Sequence, residues 1–170
     1  MRIRQIALVA TDLATVRGQL FELLGLDEGF VDEGVGQFGL QNTVCTIGNS
    51  FLEVVSPVNE DTTAGRLLQR RGGDGGYMVI VQVQEPAAAA ERWALAYDTV
   101  VESRDGCPII TMEDTEVRFV PIADGRGEGL QAIDLRTTDL ALILERAKRL
   151  DLPVNGDSVT VCGTVLNFHE

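Results

Sequence analysis

QIALVATDLATVRGQLFELLGL, residues 5–26, is the stretch from which the fold can be read. Ile6, Leu8 and Ala10 alternate with Gln5, Ala7 and Val9, and period two marks a strand with two distinct faces. Asp12 follows, a residue type whose carboxylate accepts from the free N–H groups that open a helix. Leu13, Val16, Leu20 and Leu24 then recur at helical spacing, and Gly25 suits the turn that stops a helix. The same order returns in MVIVQVQEPAAAAERWALAY at 78–97 and AIDLRTTDLALILERAKRLDL at 132–152, with Glu85 and Asp139 at the caps. A supersecondary unit that repeats decides the architecture before any single residue does.

Outward from these anchors, strands are expected at 3–10, 29–35, 37–47 and 50–57, which makes the first unit, 1–58, a βαβββ module. A connector over 59–74 holds a short helix capped at Thr62 or Thr63 and ended by the glycines from Gly72. The second module, 75–122, opens with a strand at 77–83. Pro86 then takes the first helical position, where no N–H is lost, and Ala90, Trp93, Ala94 and Tyr97 give the helix its buried stripe. Strands near 98–103, 107–112 and 115–121 complete it. The third copy, 128–170, has a strand at 129–136 and a helix with Leu140, Ile143, Leu144, Ala147 and Leu150 inward. Only two strands are legible after it, near 157–162 and 163–169, so it is expected to be a partial βαββ copy. All of this fits a single α+β domain over 1–170.

Composition narrows the function. An apolar fraction of 45% and a charged fraction of 24% are ordinary for a globular chain. A net charge of −12 argues against nucleic acid, which is gripped through phosphate neutralisation, and against anionic membrane surfaces. No apolar run reaches the length of a bilayer span, and MRIRQIALVATDL lacks the apolar core of a secretory signal, so a cytoplasmic protein is expected. Cys45, Cys107 and Cys162 are odd in number, far apart and without CxxC spacing, which reads as free thiols in a reducing compartment. GGDGG and GRGEG lack the lysine or glycine spacing of phosphate loops. With His169, the penultimate residue, as the single histidine, no Ser-His-Asp or Cys-His set can form.

Two consecutive βαβββ units resemble the vicinal-oxygen-chelate superfamily, the fold of glyoxalases, bleomycin-resistance proteins and extradiol dioxygenases. The resemblance is carried by the opening strand and its helix ending in Leu-Gly, and by SFLEVVSP at 50–57 with Glu53 at its centre. TTAGRLLQRRGGDGGYMVIVQV at 62–83 adds to it, since an arginine-bearing connector there leads into the second module. The resemblance implies a cupped mixed sheet in which two modules enclose a central cleft. It also implies, in metal-dependent members, one ligand on the first and one on the fourth strand of each module.

Carried over position by position, module one keeps that pattern in Gln5 and Glu53. Module two does not: its first-strand position falls on Met78, beside Tyr77, and its fourth-strand position near Arg118 or Phe119. Module three offers Ala132 and Phe168. Thioether and phenyl groups cannot replace imidazole and carboxylate for a hard or borderline cation, so no metal site and no cofactor are expected. Glu53 is either a cleft carboxylate or an exposed strand residue, and Gln5 either orients a ligand or decorates a strand edge. Tyr77 and Phe119 either line an apolar pocket or pack in the core. Arg66 and Arg70 share a helix face and either meet an anionic ligand or pair with acidic neighbours. Trp93 reads as core.

The resulting expectation is a glyoxalase-like protein that binds a small organic ligand in the cleft, through Gln5, Glu53, Tyr77, Met78 and Phe119, at a degenerate metal site. The alternative is a divalent-metal-dependent lyase, isomerase or dioxygenase that uses Gln5 and Glu53 with further ligands such as Glu113, Asp114 or Glu116. The odd third copy is expected either to close a homodimer or to pack its sheet back on the other two.

Overall fold

The computed structural model describes residues 5–78, 85–112, 115–123 and 125–170. Strand β1 (Gln5–Val9) runs from an exposed Gln5 to a buried Val9. Asp12 caps helix α1 (Leu13–Leu24), accepting the Thr15 N–H at 3.1 Å and its hydroxyl at 2.6 Å. These bonds, the hydroxyl's first, hold its carboxyl below the usual value. Gly25 ends the helix at φ 67°, where any side chain would be strained.

Strands β2 (Leu40–Ile47) and β3 (Ser50–Pro57) form a hairpin, and β3 lies parallel to β1. A parallel neighbour cannot be reached by a tight turn, so the chain crosses over through α1. Strand β4 (Gly75–Met78) flanks β1 on its other side, giving the order β2-β3-β1-β4. The strand expected at 29–35 does not form. Phe30 makes one bridge to Val44, and Glu33–Phe38 wind into a 3-10 helix. The cause is local: the Asp32 carboxylate accepts the Gly34 N–H at 2.9 Å, which draws that backbone away from the ladder.

Helix α2 (Thr63–Arg71) is capped by Thr62, whose hydroxyl accepts the Gly65 N–H at 2.9 Å. It lays Ala64 and Leu68 against Val9, Leu40 and Val55, on the sheet face opposite α1. In module two, helix α3 (Pro86–Tyr97) covers a sheet of β5 (Glu102–Arg104), β6 (Cys107–Thr111) and β7 (Glu116–Arg118). The strand expected from 98 begins later because Asp98 takes the left-handed conformation at φ 51°. Of the strand expected at 77–83, positions 79–83 lie outside the described residues.

The third copy is not one strand short. Strand β8 (Ala132–Arg136), helix α4 (Leu140–Arg149) and strands β9 (Val154–Asn155), β10 (Ser158–Val161) and β11 (Thr164–His169) make a full βαβββ unit. Its sheet order is β8-β11-β10-β9, with β8 parallel to β11 as β1 is to β3. Two residues of β9 are too few to carry a period-two signal. The chain is therefore α+β and modular, with its strands in three sheets among the described residues.

The third unit packs back on the first. Leu8, Val16, Leu20 and Leu23 share one core with Ile133, Ile143, Ala147, Val159, Leu166 and Phe168. Cys45 and Cys162 lie in that core, and burial pushes their thiols from an ordinary 9.0 up to about 11 and about 12.

Leu20→Ala or Ile143→Ala is expected to cost about 2–5 kcal/mol and to lower the urea midpoint of the whole chain, because both units lean on one core. The buried thiols set an alkaline limit. Each stays protonated in the folded chain while the unfolded chain ionises from about pH 9, so their contribution is complete below pH 9 and is lost as pH rises towards 11. Urea midpoints measured from pH 8 to 11 should fall, and Cys45→Ala should flatten that fall.

Candidate functional site

The parallel register of β1 and β3 sets Ala7 opposite Glu53 and Gln5 opposite Phe51. On the other side, Val44 faces Glu53 and Asn42 faces Val55. Glu53 thus stands in mid-sheet with two amides at diagonal positions, one on each neighbouring strand, within reach of a long side chain. Both amides bond to it. Gln5 Nε2 donates to Glu53 Oε2 at 2.5 Å, and Asn42 Nδ2 donates to Glu53 Oε1 at 2.5 Å.

Glu53 is 5% exposed and Asn42 2% exposed, whereas Gln5 opens to solvent. Asn42 has no freedom to flip, because its Oδ1 accepts the Asp32 N–H at 3.0 Å. The 3-10 segment therefore fixes Asn42, and Asn42 fixes Glu53. Phe51 adds an aromatic edge, with Phe30 against it at 6.2 Å and 89°.

The two module-one residues picked out in the sequence are brought into direct contact, whereas Phe119, Arg66 and Arg70 lie elsewhere. Met78 lies on β4 paired with Ala7, with Tyr77 next to it on the same strand. Phe119 is fully buried, its ring edge-on to Trp93 at 5.5 Å beneath α3, so it belongs to the core of module two. Arg66 is spent on the turn before its helix: it donates to the Asp61 carbonyl at 2.5 Å and pairs with the Asp61 carboxylate at 3.2 Å. Arg70 is exposed in the last turn of α2. Arg71 is the arginine that turns inward, donating to the Glu128 carbonyl at 2.9 Å.

Asn42 went unnoticed in the sequence. Its signal was present: it follows the apolar alternation of Leu40 and Val44, where a polar residue needs a partner. Glu113 and Asp114 lie outside the described residues, and Glu116 pairs with Arg104 at 2.8 Å.

An open divalent site takes about three protein ligands. Gln5 and Asn42 turn N–H groups, not oxygens, towards Glu53. No group of three or more His, Cys, Asp or Glu among the described residues is placed to hold an ion.

No family model matches the chain, and no curated protein matches it. Solved structures do. A triple variant of 4-hydroxymandelate synthase from Streptomyces coelicolor aligns at 17% identity and TM-score 0.43, covering 98% of this chain. The chain spans 61% of that synthase. A variant of the Streptomyces coelicolor methylmalonyl-CoA epimerase, in complex with 2-nitronate-propionyl-CoA, aligns at 19% and 0.40, over 73% of this chain and 96% of its own. Methylmalonyl-CoA epimerase from Mycobacterium tuberculosis aligns at 14% and 0.37, over 71% and 87%.

Asn42→Ala should destabilise the chain by about 1–3 kcal/mol, since it strands a buried acceptor and frees the Asp32 N–H. Gln5→Ala should cost less, because water can replace an exposed donor. Chemical denaturation of the two variants checks the order.

Proposed function

We propose that the protein binds a small organic ligand on the sheet face that carries Gln5 and Glu53, without a resident metal ion. The observation that carries this reading is the capture of both Glu53 oxygens by amide N–H groups. A carboxylate so held keeps further lone pairs, and Gln5 Oε1 adds an exposed acceptor. The face is thus suited to hydrogen-bond donors on a ligand, with the Phe51 ring beside it for apolar parts. The superfamily fold supports a small-molecule role and leaves the ligand open. Three cysteines with no disulfide between them fit a reducing, cytoplasmic setting, which belongs to this proposal. The reading includes a homodimer, to be checked by light scattering.

A thermal-shift screen of metabolites against metals tests the proposal. A bound ligand at about a hundred times its dissociation constant adds about 2.7 kcal/mol. Stabilisation by organic ligands that EDTA leaves unchanged and Glu53→Gln abolishes is the expected result. Stoichiometric zinc, manganese or iron in purified protein, lost in Glu53→Ala, overturns it in favour of a metal-dependent enzyme.

A further inference from the structure

A cavity lies beside the first turns of α1, against the first sheet. About 560 Å³ opens between the first turns of α1 and the edge of β2, lined by Thr11, Asp12, Arg17, Gly29, Gln41 and Thr43 among others. That size falls in the range of small-molecule sites. It exists because module one runs from Gly25 to Gly39 before β2, through Phe30 and the 3-10 helix, where module three passes from α4 to β9 within a few residues. Asn42 and Thr43 are neighbours on β2 with opposite faces. Asn42 serves Glu53, and Thr43 looks into the cleft.

Thr43 is 3% exposed, and its hydroxyl has no hydrogen-bond partner among the described residues. A Cβ on Gly29 would come within 2.9 Å of that hydroxyl, which places it against another wall residue of the cleft. The hydroxyl itself is open to the cleft and so within reach of a molecule that enters it. The walls also carry one charge of each sign. Arg17 rests over the Phe21 ring at 4.9 Å and has no carboxylate partner among the described residues. Asp12 spends its carboxylate on Thr15 and keeps lone pairs for another donor.

We infer that this cleft is a second binding site, for a small carboxylate that also carries a hydroxyl or amino group. Arg17 pairs with the carboxylate, Thr43 bonds it from the floor, and Asp12 accepts from the ligand's donor. Asn42, which bonds Glu53, also borders the cleft, but the groups assigned here to the ligand are Arg17, Thr43 and Asp12, so the inference does not depend on the reading of the Glu53 face.

The test follows the backbone amide resonances of Gly29, Gln41 and Thr43 in labelled protein, with lactate, L-serine, acetamide and ethanolamine as probes. Saturable shifts are expected with lactate and L-serine and not with the two probes that lack a carboxylate. Arg17→Gln and Thr43→Val should each weaken that binding by about tenfold or more, roughly one charge-assisted or buried hydrogen bond. Glu53→Gln should leave it unchanged. Unsaturable shifts, shifts insensitive to both cleft substitutions, or equal shifts at the start of α4 overturn the inference. The last outcome would mark a general response of helix ends.

Discussion

The parallel pairing of β1 with β3 is the constraint on which the rest depends. It cannot be closed by a hairpin, so α1 must cross one face of the sheet and cover it. The opposite face is left to α2 at one end and to Glu53 at the centre. Register then fixes chemistry. A slip of one residue would turn Glu53 into the α1 core and bring Leu52 or Val54 out, so the hydrophobic pattern itself holds the carboxylate where it is. Ala7, directly opposite, is small enough that Glu53 can lean diagonally to Gln5.

A carboxylate this buried has lost most of its water, and no lysine or arginine among the described residues is bonded to it. Two amide donors offset that loss, and bonds to a charged acceptor are worth about twice those between neutral groups. The arrangement works only if the amides cannot turn away. Asn42 is held by the Asp32 backbone, and Asp32 also caps the 3-10 helix. An irregular loop after α1 thus sets the orientation of a side chain two strands into the sheet. The absence of a regular second strand in module one is part of how Glu53 is positioned.

The sequence made the repeated unit and its caps legible because period and capping chemistry are local. Asp12, Thr62 and Asp139 cap their helices through their own side chains, and Gln5 and Glu53 meet as their strand positions imply. What stayed hidden depended on competition or on distance. The turn at Asp32 defeated a strand that Phe30 and Val31 favour, and a two-residue β9 gave no period to read. Phe119 looked suited to a cleft because alternation fixes a face without saying what covers it, and α3 covers that one. Arg66 shares a helix face with Arg70, yet the left-handed Asp61 just before the helix claims it. Asn42 could be found only by asking what an inward amide would bond.

The first and third units show how one architecture supports two uses of the same face. Counted back equally from the caps Asp12 and Asp139, Ala7 corresponds to Asp134. Their parallel partners are Glu53 and Asn167. Acid and amide have changed strands, and the bond between neighbours is kept: Asn167 Nδ2 donates to Asp134 at 2.7 Å, with Ser158 donating to Asn167 at 2.7 Å. In the third unit, however, Arg118 of β7 reaches Asp134 at 3.6 Å, and His169 lies at 3.8 Å. These groups are about half exposed, so the pairing contributes little stability. Its consequence is geometric, since it lays module two's last strand against that acid. In module one two amides and, among the described residues, no arginine meet the acid, and Gln5 stays open to water. One architecture thus places an acid at mid-sheet in both units and, among the described residues, surrounds it differently in each.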